Sequence, residues 1–258
     1  MLLLSKNALV FAASGAIGGE VARQFAKEGA QVWLSGRNAV ALSSLQKQIE
    51  ATGGTAHVEL VDATDASAVI AYVKRVTQMA GSIDVVFNGI GGRPSDLGYP
   101  SSSLGLDVEQ FFKPLRLIVG STFLTSQAVA QQMIQQGSGA IVTLSATLTG
   151  MTAPHMASIT ATCGAIEAMT RSLAGEFGRS GVRVNCVRGS AMPETRTIQE
   201  TMAGQQQLMG SLPTMELPPL GRPISVGETA ATVAFLASDR ASGMTGQVVT
   251  VCAGAFVG

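Results

Sequence analysis

The chain has 258 residues, room for one large domain or two small ones at about 150 residues per domain. Lys plus Arg is 17 and Asp plus Glu is 17, so there is no basic excess for a nucleic-acid backbone to attract. Charged residues are 13% and apolar residues 46%, a composition that buries a large core and leaves surface for copies of itself or a partner to cover.

No apolar run reaches the roughly 18–20 residues that cross a bilayer, so no membrane is expected. Three widely spaced cysteines, Cys163, Cys186 and Cys252, lack metal-ligand spacing. They are expected to be reduced thiols in a cytoplasm, with neither a disulfide frame nor a metal site. Taken in chain order, Ala8–Ala12 reads as a short buried strand and Gly18–Gly29 as an amphipathic helix. Gln31–Ser35 is a strand, and Asn38 caps a helix whose inner face is Leu42, Leu45 and Ile49. His57–Val61 is a strand, Ala66–Met79 a helix and Ile83–Phe87 a strand. Asp107 begins a long helical stretch to Gln136. Ala140–Ser145 is a strand, Ala157–Arg179 a helix and Val182–Val187 a strand. Segment 190–222 is rich in Pro, Met and Gln and reads as irregular. Val226–Ala237 is a helix and Gln247–Val251 a strand.

Seven apolar strands separated by helices predict one α/β, doubly wound (Rossmann) domain. Its seven-stranded parallel sheet carries helices on both faces. Ligands of such sheets bind at the carboxyl ends of the strands. The first such end is the Gly-rich turn Ala12–Gly19. A helix start beside a Gly turn offers free N–H groups to a phosphate.

The opening, Val10 to Gly18 followed by Val21 to Gln31, resembles the short-chain dehydrogenase/reductase family. So do Asp62-Ala63-Thr64-Asp65, Asp84 to Gly91, Ile166 to Ala174, Val182 to Asn185, Gly221-Arg222-Pro223, Phe235 to Asp239 and Thr245-Gly246. The resemblance implies a nicotinamide cofactor held by Ser14, Gly15, Ile17, Gly18, Arg37, Asp62, Ala63, Asn88, Gly89 and Thr195. Arg37, with no acidic residue before it, suits a 2′-phosphate and favours NADP over NAD; a solvated loop arginine is the other reading. The family's turn reads Thr-Gly-x-x-x-Gly-x-Gly, and its four fixed positions are Phe11, Ala12, Ala16 and Gly18 here. A methyl at Ala12 narrows the space for a pyrophosphate or forbids a positive φ.

The family's catalytic Asn, Ser, Tyr and Lys fall on Ile118, Ala146, Ile159 and Cys163. The only tyrosines are Tyr72 and Tyr99, and no lysine follows Lys113, so a shifted alignment restores nothing. An absent general acid costs a carbonyl reduction about 10²–10⁴-fold. Three substitutes lie near: Ser145, which can hold a substrate oxygen or cap its own strand; His155, an acid–base group or a surface histidine; and Arg188, which can bind a ligand's carboxylate or phosphate or pair with Glu194. Cys163 is a nucleophile only with a lowered pKa. Met192, Met202, Met209 and Met215 mark 190–222 as resembling the family's substrate lid.

The expected function is an NAD(P)(H)-dependent oxidoreductase with a non-standard active site, reducing an activated C=C or a carbonyl of a small molecule. The alternatives are a catalytically inactive partner subunit or ligand-binding protein of the same fold, or a non-redox enzyme (an isomerase, dehydratase or cyclase) on it. A homodimer or homotetramer is expected, or a heteromer with an intact relative.

Overall fold

The structure, a computed structural model, describes residues 1–210 and 217–256. Its elements alternate. Strand β1 (Asn7–Phe11) leads to helix α1 (Ala16–Lys27), β2 (Gln31–Gly36) to α2 (Ala39–Ala51) and β3 (Thr55–Leu60) to α3 (Ala66–Ala80). Then come β4 (Val85–Asn88), short α4 (Pro94–Leu97), α5 (Val108–Pro114), α6 (Gly120–Gln136), β5 (Gly139–Ala146) and α7 (Ala157–Phe177). The chain continues with β6 (Val182–Gly189), α8 (Arg196–Met209), α9 (Val226–Ala237) and β7 (Val248–Val251). All strand pairs are parallel, in the order β3-β2-β1-β4-β5-β6-β7.

The chain winds outward from β1 in both directions, so the strand order reverses between β1 and β4. The connections after these two strands diverge to opposite faces and leave a crevice at their carboxyl ends. Phe11 and Asn88 are paired there.

Both faces of the sheet are covered. On one, Val21, Ala22 and Phe25 of α1 meet Ala230, Val233 and Ala234 of α9 over Ala8, Val10 and Val32. On the other, Val69, Val73, Val129, Met133, Leu173 and Phe177 pack on Leu9, Val86, Ile141 and Val184. Central strands buried on both sides have no polar face to show, which is why they read as continuous apolar runs. Helix starts follow local chemistry: Asn38 accepts the Ala41 N–H and Asp65 accepts those of Ser67 and Ala68.

Two readings of the sequence need correction. Segment 190–222 contains a 14-residue helix, α8, whose side chains are mostly solvated, with only Thr201 buried. Its apolar residues, Ile198, Met202 and Met209 among them, are few and widely spread among polar ones, and they give a periodicity argument little to work with. Met215 lies outside the described residues. The long helix expected from Asp107 to Gln136 is interrupted by a π-helical segment, Leu115–Val119. Pro114 supplies no N–H to the preceding turn, and the Ser121 hydroxyl bonds back to the carbonyls of Leu117 and Ile118. Strand β3 also begins two residues earlier than expected, at Thr55.

Candidate active site

The turn after β1 is pinned on both sides. The Ala13 N–H donates to Ser35 O at 2.9 Å and the Gly15 N–H to Ala12 O at 3.0 Å. The methyl at Ala12 does not forbid a positive φ: Ala12 adopts φ 60°. The tight return to α1 requires it, at a steric cost of about 1–2 kcal/mol for a residue with a Cβ. Gly18 is obligatory, because a Cβ there would lie 2.4 Å from Ala12 O. Gly15 is the residue before α1 and brings no side-chain cap. The first-turn N–H groups of α1 therefore face the crevice unclaimed by any side chain, with the positive end of the helix dipole behind them. Ser14 and Gly15 are exposed at this turn. Ile17 packs against Met192, Ile224 and Val226, joining the turn to the segment before α9.

Next along the edge, Arg37 is 69% exposed and lies 3.8 Å from Asp62. Asp62 accepts the backbone N–H and hydroxyl of Thr64 at 2.9 and 2.7 Å. Those bonds, with Arg37 adding to them, hold its carboxyl below the usual range. Ala63 packs on the α3 side of the core. Asn88 is buried, and each end of its amide makes a bond: it accepts from Thr125 Oγ1 at 2.8 Å and donates to Ser126 Oγ at 3.0 Å. Gly89 admits no Cβ because the Phe87 ring lies 2.6 Å from that point. Thr195 is buried at the start of α8. Its hydroxyl donates to Met192 O at 2.8 Å and accepts the Ile198 N–H.

Ile118, Ala146, Ile159 and Cys163 come from three separate elements and meet in one apolar cluster. Ile159 and Cys163 are buried there with Leu97, Tyr99 and Met156, and Ile118 and Ala146 pack against them. Ile118 sits in the π segment. Burial pushes the Cys163 thiol up to about 11, which keeps it protonated and a poor nucleophile.

Behind this cluster lies a buried polar network. Ser145 Oγ donates to Glu167 Oε1 at 2.7 Å and Thr149 Oγ1 to the same oxygen at 2.9 Å. Arg188 donates to Thr149 Oγ1 at 3.2 Å and to Thr250 Oγ1 at 3.0 Å. Its guanidinium lies 3.8 Å from Glu167 and 4.7 Å over the Phe256 ring. The partner expected for Arg188 was Glu194, but Glu194 accepts the Val226 N–H instead. Ser145, Glu167 and Arg188 are each less than 10% exposed and are mutually satisfied, so Ser145 spends its proton on Glu167. His155 lies in the segment before α7, half-buried, at φ 64°, with its carbonyl accepting the Ser101 N–H at 2.8 Å. The other histidine, His57, stacks on Trp33 at 4.1 Å on the sheet edge.

Tyr99 is the residue that sequence spacing could not find. It arrives from the connection between β4 and α5, some 60 positions before Ile159, and enters the same cluster. Helix α8 lies across that connection. Arg93 pairs with Glu200 at 2.9 Å, and a Cβ at Gly204 would be 2.9 Å from the Pro100 ring.

Other concavities exist, at the amino edge of the sheet beside Lys6, Asp84 and Arg183 and between α3 and α6 around Lys74 and Gln127. Neither adjoins the Gly turn, and no strand delivers its carboxyl end to them. The crevice at β1 and β4 is the site the topology builds.

An α/β sheet reversing beside a Gly turn defines a nucleotide-binding class of fold. The family model described as enoyl-(acyl carrier protein) reductase matches residues 11–255. Gluconate 5-dehydrogenase of Gluconobacter oxydans is 33% identical over 99% of this chain and 96% of its own. A 3-oxoacyl-(acyl-carrier-protein) reductase of Chlamydia muridarum is 30% identical over 98% of each. The solved structure of 7α-hydroxysteroid dehydrogenase in complex with NADH and 7-oxo glycochenodeoxycholic acid superposes with a TM-score of 0.87. It is 28% identical, over 98% of this chain and 94% of its own. The chain belongs to the short-chain dehydrogenase/reductase family.

Proposed function

We propose that the chain is an NAD(P)(H)-dependent oxidoreductase with a non-standard active site, reducing an activated C=C or a carbonyl of a small molecule. The family and the activities printed for its relatives support the reaction class. The carrying observation is the apolar cluster of Ile118, Ala146, Ile159 and Cys163 at the positions the family uses for proton transfer. Three of these side chains are hydrocarbon with no proton to give, and burial keeps the Cys163 proton on its sulfur, so in this reading the family's ordinary arrangement is replaced. Reduction of a C=C next to a carbonyl suits such a site, because protonation can follow the hydride step rather than accompany it. His155, at the margin of the cluster, is one candidate acid; Ser145 and Arg188 are already engaged with Glu167.

The turn fits a dinucleotide. Gly18 leaves the room a Cβ would fill, and α1 presents uncapped N–H groups to a pyrophosphate beside Ser14, Gly15 and Ile17. The relative solved with NADH supports a nicotinamide cofactor. By the family resemblance, Asp62 and Ala63 would border the adenine, and the Asn88–Gly89 backbone and Thr195 would border the nicotinamide. The exposed guanidinium of Arg37, held only loosely by Asp62, favours NADP. When bound in reduced form, the cofactor supplies a hydride. Helix α8, which lies against the β4–α5 connection, would cover the substrate side. Three buried, unpaired thiols suit a cytoplasmic protein. Homodimers or homotetramers are the expected assembly. Among the described residues no helix is long and apolar enough to cross a membrane.

The same cluster favours a second reading, a catalytically inactive subunit that partners an intact relative. Thermal unfolding with NADPH and NADH, followed by cofactor oxidation with 2-cyclohexenone and with cyclohexanone, separates the two. Cofactor at 100-fold its Kd should stabilise the fold by about 2.7 kcal/mol. Stabilisation with enone turnover supports the oxidoreductase. Stabilisation with no turnover supports the partner subunit, and the absence of both rejects a dinucleotide site.

A further inference from the structure

We propose that Tyr99 is the proton donor of this site, brought into the cluster from the β4–α5 connection to serve the carbonyl oxygen of an α,β-unsaturated substrate. The inference rests on the oxidoreductase reading above and names both its missing acid and its substrate class.

Tyr99 is 6% exposed and packs with Leu97, Met156, Ile159 and Cys163. It thus occupies the same small volume as the positions where hydrocarbon has replaced the family's polar groups. Among the described residues its hydroxyl has no hydrogen-bond partner. A phenol wrapped in apolar side chains, with no described group holding its hydroxyl, is disposed to meet a ligand. Ser145 and Arg188 differ, since each is already committed to Glu167 or its partners.

The placement is rigid. The Tyr99 N–H donates to Pro94 O at 3.1 Å, and the next residues are held from two sides. Ser101 donates its N–H to His155 O at 2.8 Å and its hydroxyl to Gly98 O at 2.8 Å. Pro100 abuts Gly204 of α8, and Arg93 clamps Glu200 of the same helix. A donor fixed by backbone bonds and by a helix across it keeps its aim when substrate enters.

Burial raises the phenol's pKa, and the neighbouring Cys163 and Glu200 raise it further. Tyr99 therefore holds its proton at neutral pH. The walls, Leu97, Ile118, Met156 and Ile159, suit the hydrocarbon part of an enone and offer no second donor to its oxygen.

The step balances. The carbonyl oxygen accepts a hydrogen bond from Tyr99 Oη. A hydride from reduced nicotinamide adds at the β-carbon, the C=C electron pair shifts, and the carbonyl π pair becomes the enolate oxygen's charge. The phenolic proton passes to that oxygen and gives the enol, which becomes the saturated ketone in water. The phenolate regains its proton from water.

The test is Tyr99→Phe, which keeps the ring and removes only the hydroxyl. The probe is 2-cyclohexenone, read by the carbonyl stretch of the molecule bound with NADP and by NADPH-driven reduction. In the native protein the stretch should move to lower wavenumber. In Tyr99→Phe it should return to its unbonded position, and kcat should fall about 10²–10⁴-fold. The NADPH-induced shift in unfolding temperature should be unchanged, which shows that the variant is folded and loaded. If Tyr99→Phe reduces the enone at the native rate with the stretch still displaced, the Tyr99 assignment is wrong and the oxidoreductase reading stands. If His155→Gln rather than Tyr99→Phe abolishes the displacement, the donor is His155 and the proposal falls. If the native protein binds NADPH but neither displaces the stretch nor reduces the enone, the proposal falls together with the reading beneath it.

Discussion

At the scale of single residues, the turn after β1 shows how a fold tolerates a locally unfavourable amino acid. Ala12 sits at φ 60° because the bonds from Ala13 to Ser35 and from Gly15 to Ala12 leave no other path into α1. Two magnitudes oppose each other in Ala12→Gly. Relief of the left-handed strain is worth about 1–2 kcal/mol, while the added freedom of the unfolded chain costs about 0.4–1 kcal/mol. Ala12→Gly should therefore stabilise the protein by roughly 0.5–1 kcal/mol in urea unfolding, whereas Gly18→Ala should destabilise it. An unstable Ala12→Gly would show that the methyl contributes packing the turn needs. The buried network is the second case. Arg188→Met leaves Glu167 charged and enclosed, and removing one partner of a buried pair costs about 3–5 kcal/mol. Pairing it with Glu167→Leu should recover part of that loss, again by urea unfolding; strictly additive losses would mean that Glu167 and Arg188 do not interact. The identity of Arg188 was visible in the sequence, but its partner was not. Glu167 lies one turn beyond Cys163 on a helix, and only the β5–β6 register, Ser145 beside Arg188, brings the two together.

Among the elements, legibility followed burial. Helix α9 was recovered to the residue because its apolar content and its cap are both local. Ser225 and Glu228 form a reciprocal capping box, and Arg222 grips Glu228 with bonds of 2.8 and 2.9 Å. The Arg222 bonds, with the Ser225 N–H, hold the Glu228 carboxyl down to about 2. A carboxyl whose folded pKa is depressed stabilises the fold above its unfolded pKa, and that contribution is lost as the pH falls. The native unfolding temperature should therefore decline between about pH 4.5 and 2 more steeply than that of Glu228→Gln. Parallel acid limbs for the two proteins would remove Glu228 from the account. Helix α8 was missed for the opposite reason: its Gln-rich surface buries little, and its tie to Arg93 is a contact across more than 100 residues. Tyr99 was missed for the same reason, since no spacing rule links the β4–α5 connection to α7.

For the whole molecule, the class of fold was legible because apolar strands and amphipathic helices alternate along the entire chain. The same logic fixes where a crevice must open: between the two strands from which the winding departs. Sequence also picked out Ile118, Ala146, Ile159 and Cys163, though no spacing rule shows that they meet in one cluster with Tyr99. Low charge and exposed apolar side chains such as Phe112 and Phe123 leave surface for self-association. The packing of α1 on α9 carries a consequence for how the protein is made. Val21 and Phe25 leave the ribosome some 200 residues ahead of Ala230, Val233 and Ala234, which shield them. Throughout that interval the nascent cradle has one greasy flank uncovered, so a ribosome that stalls before α9 releases a sticky fragment, and productive folding waits for α9.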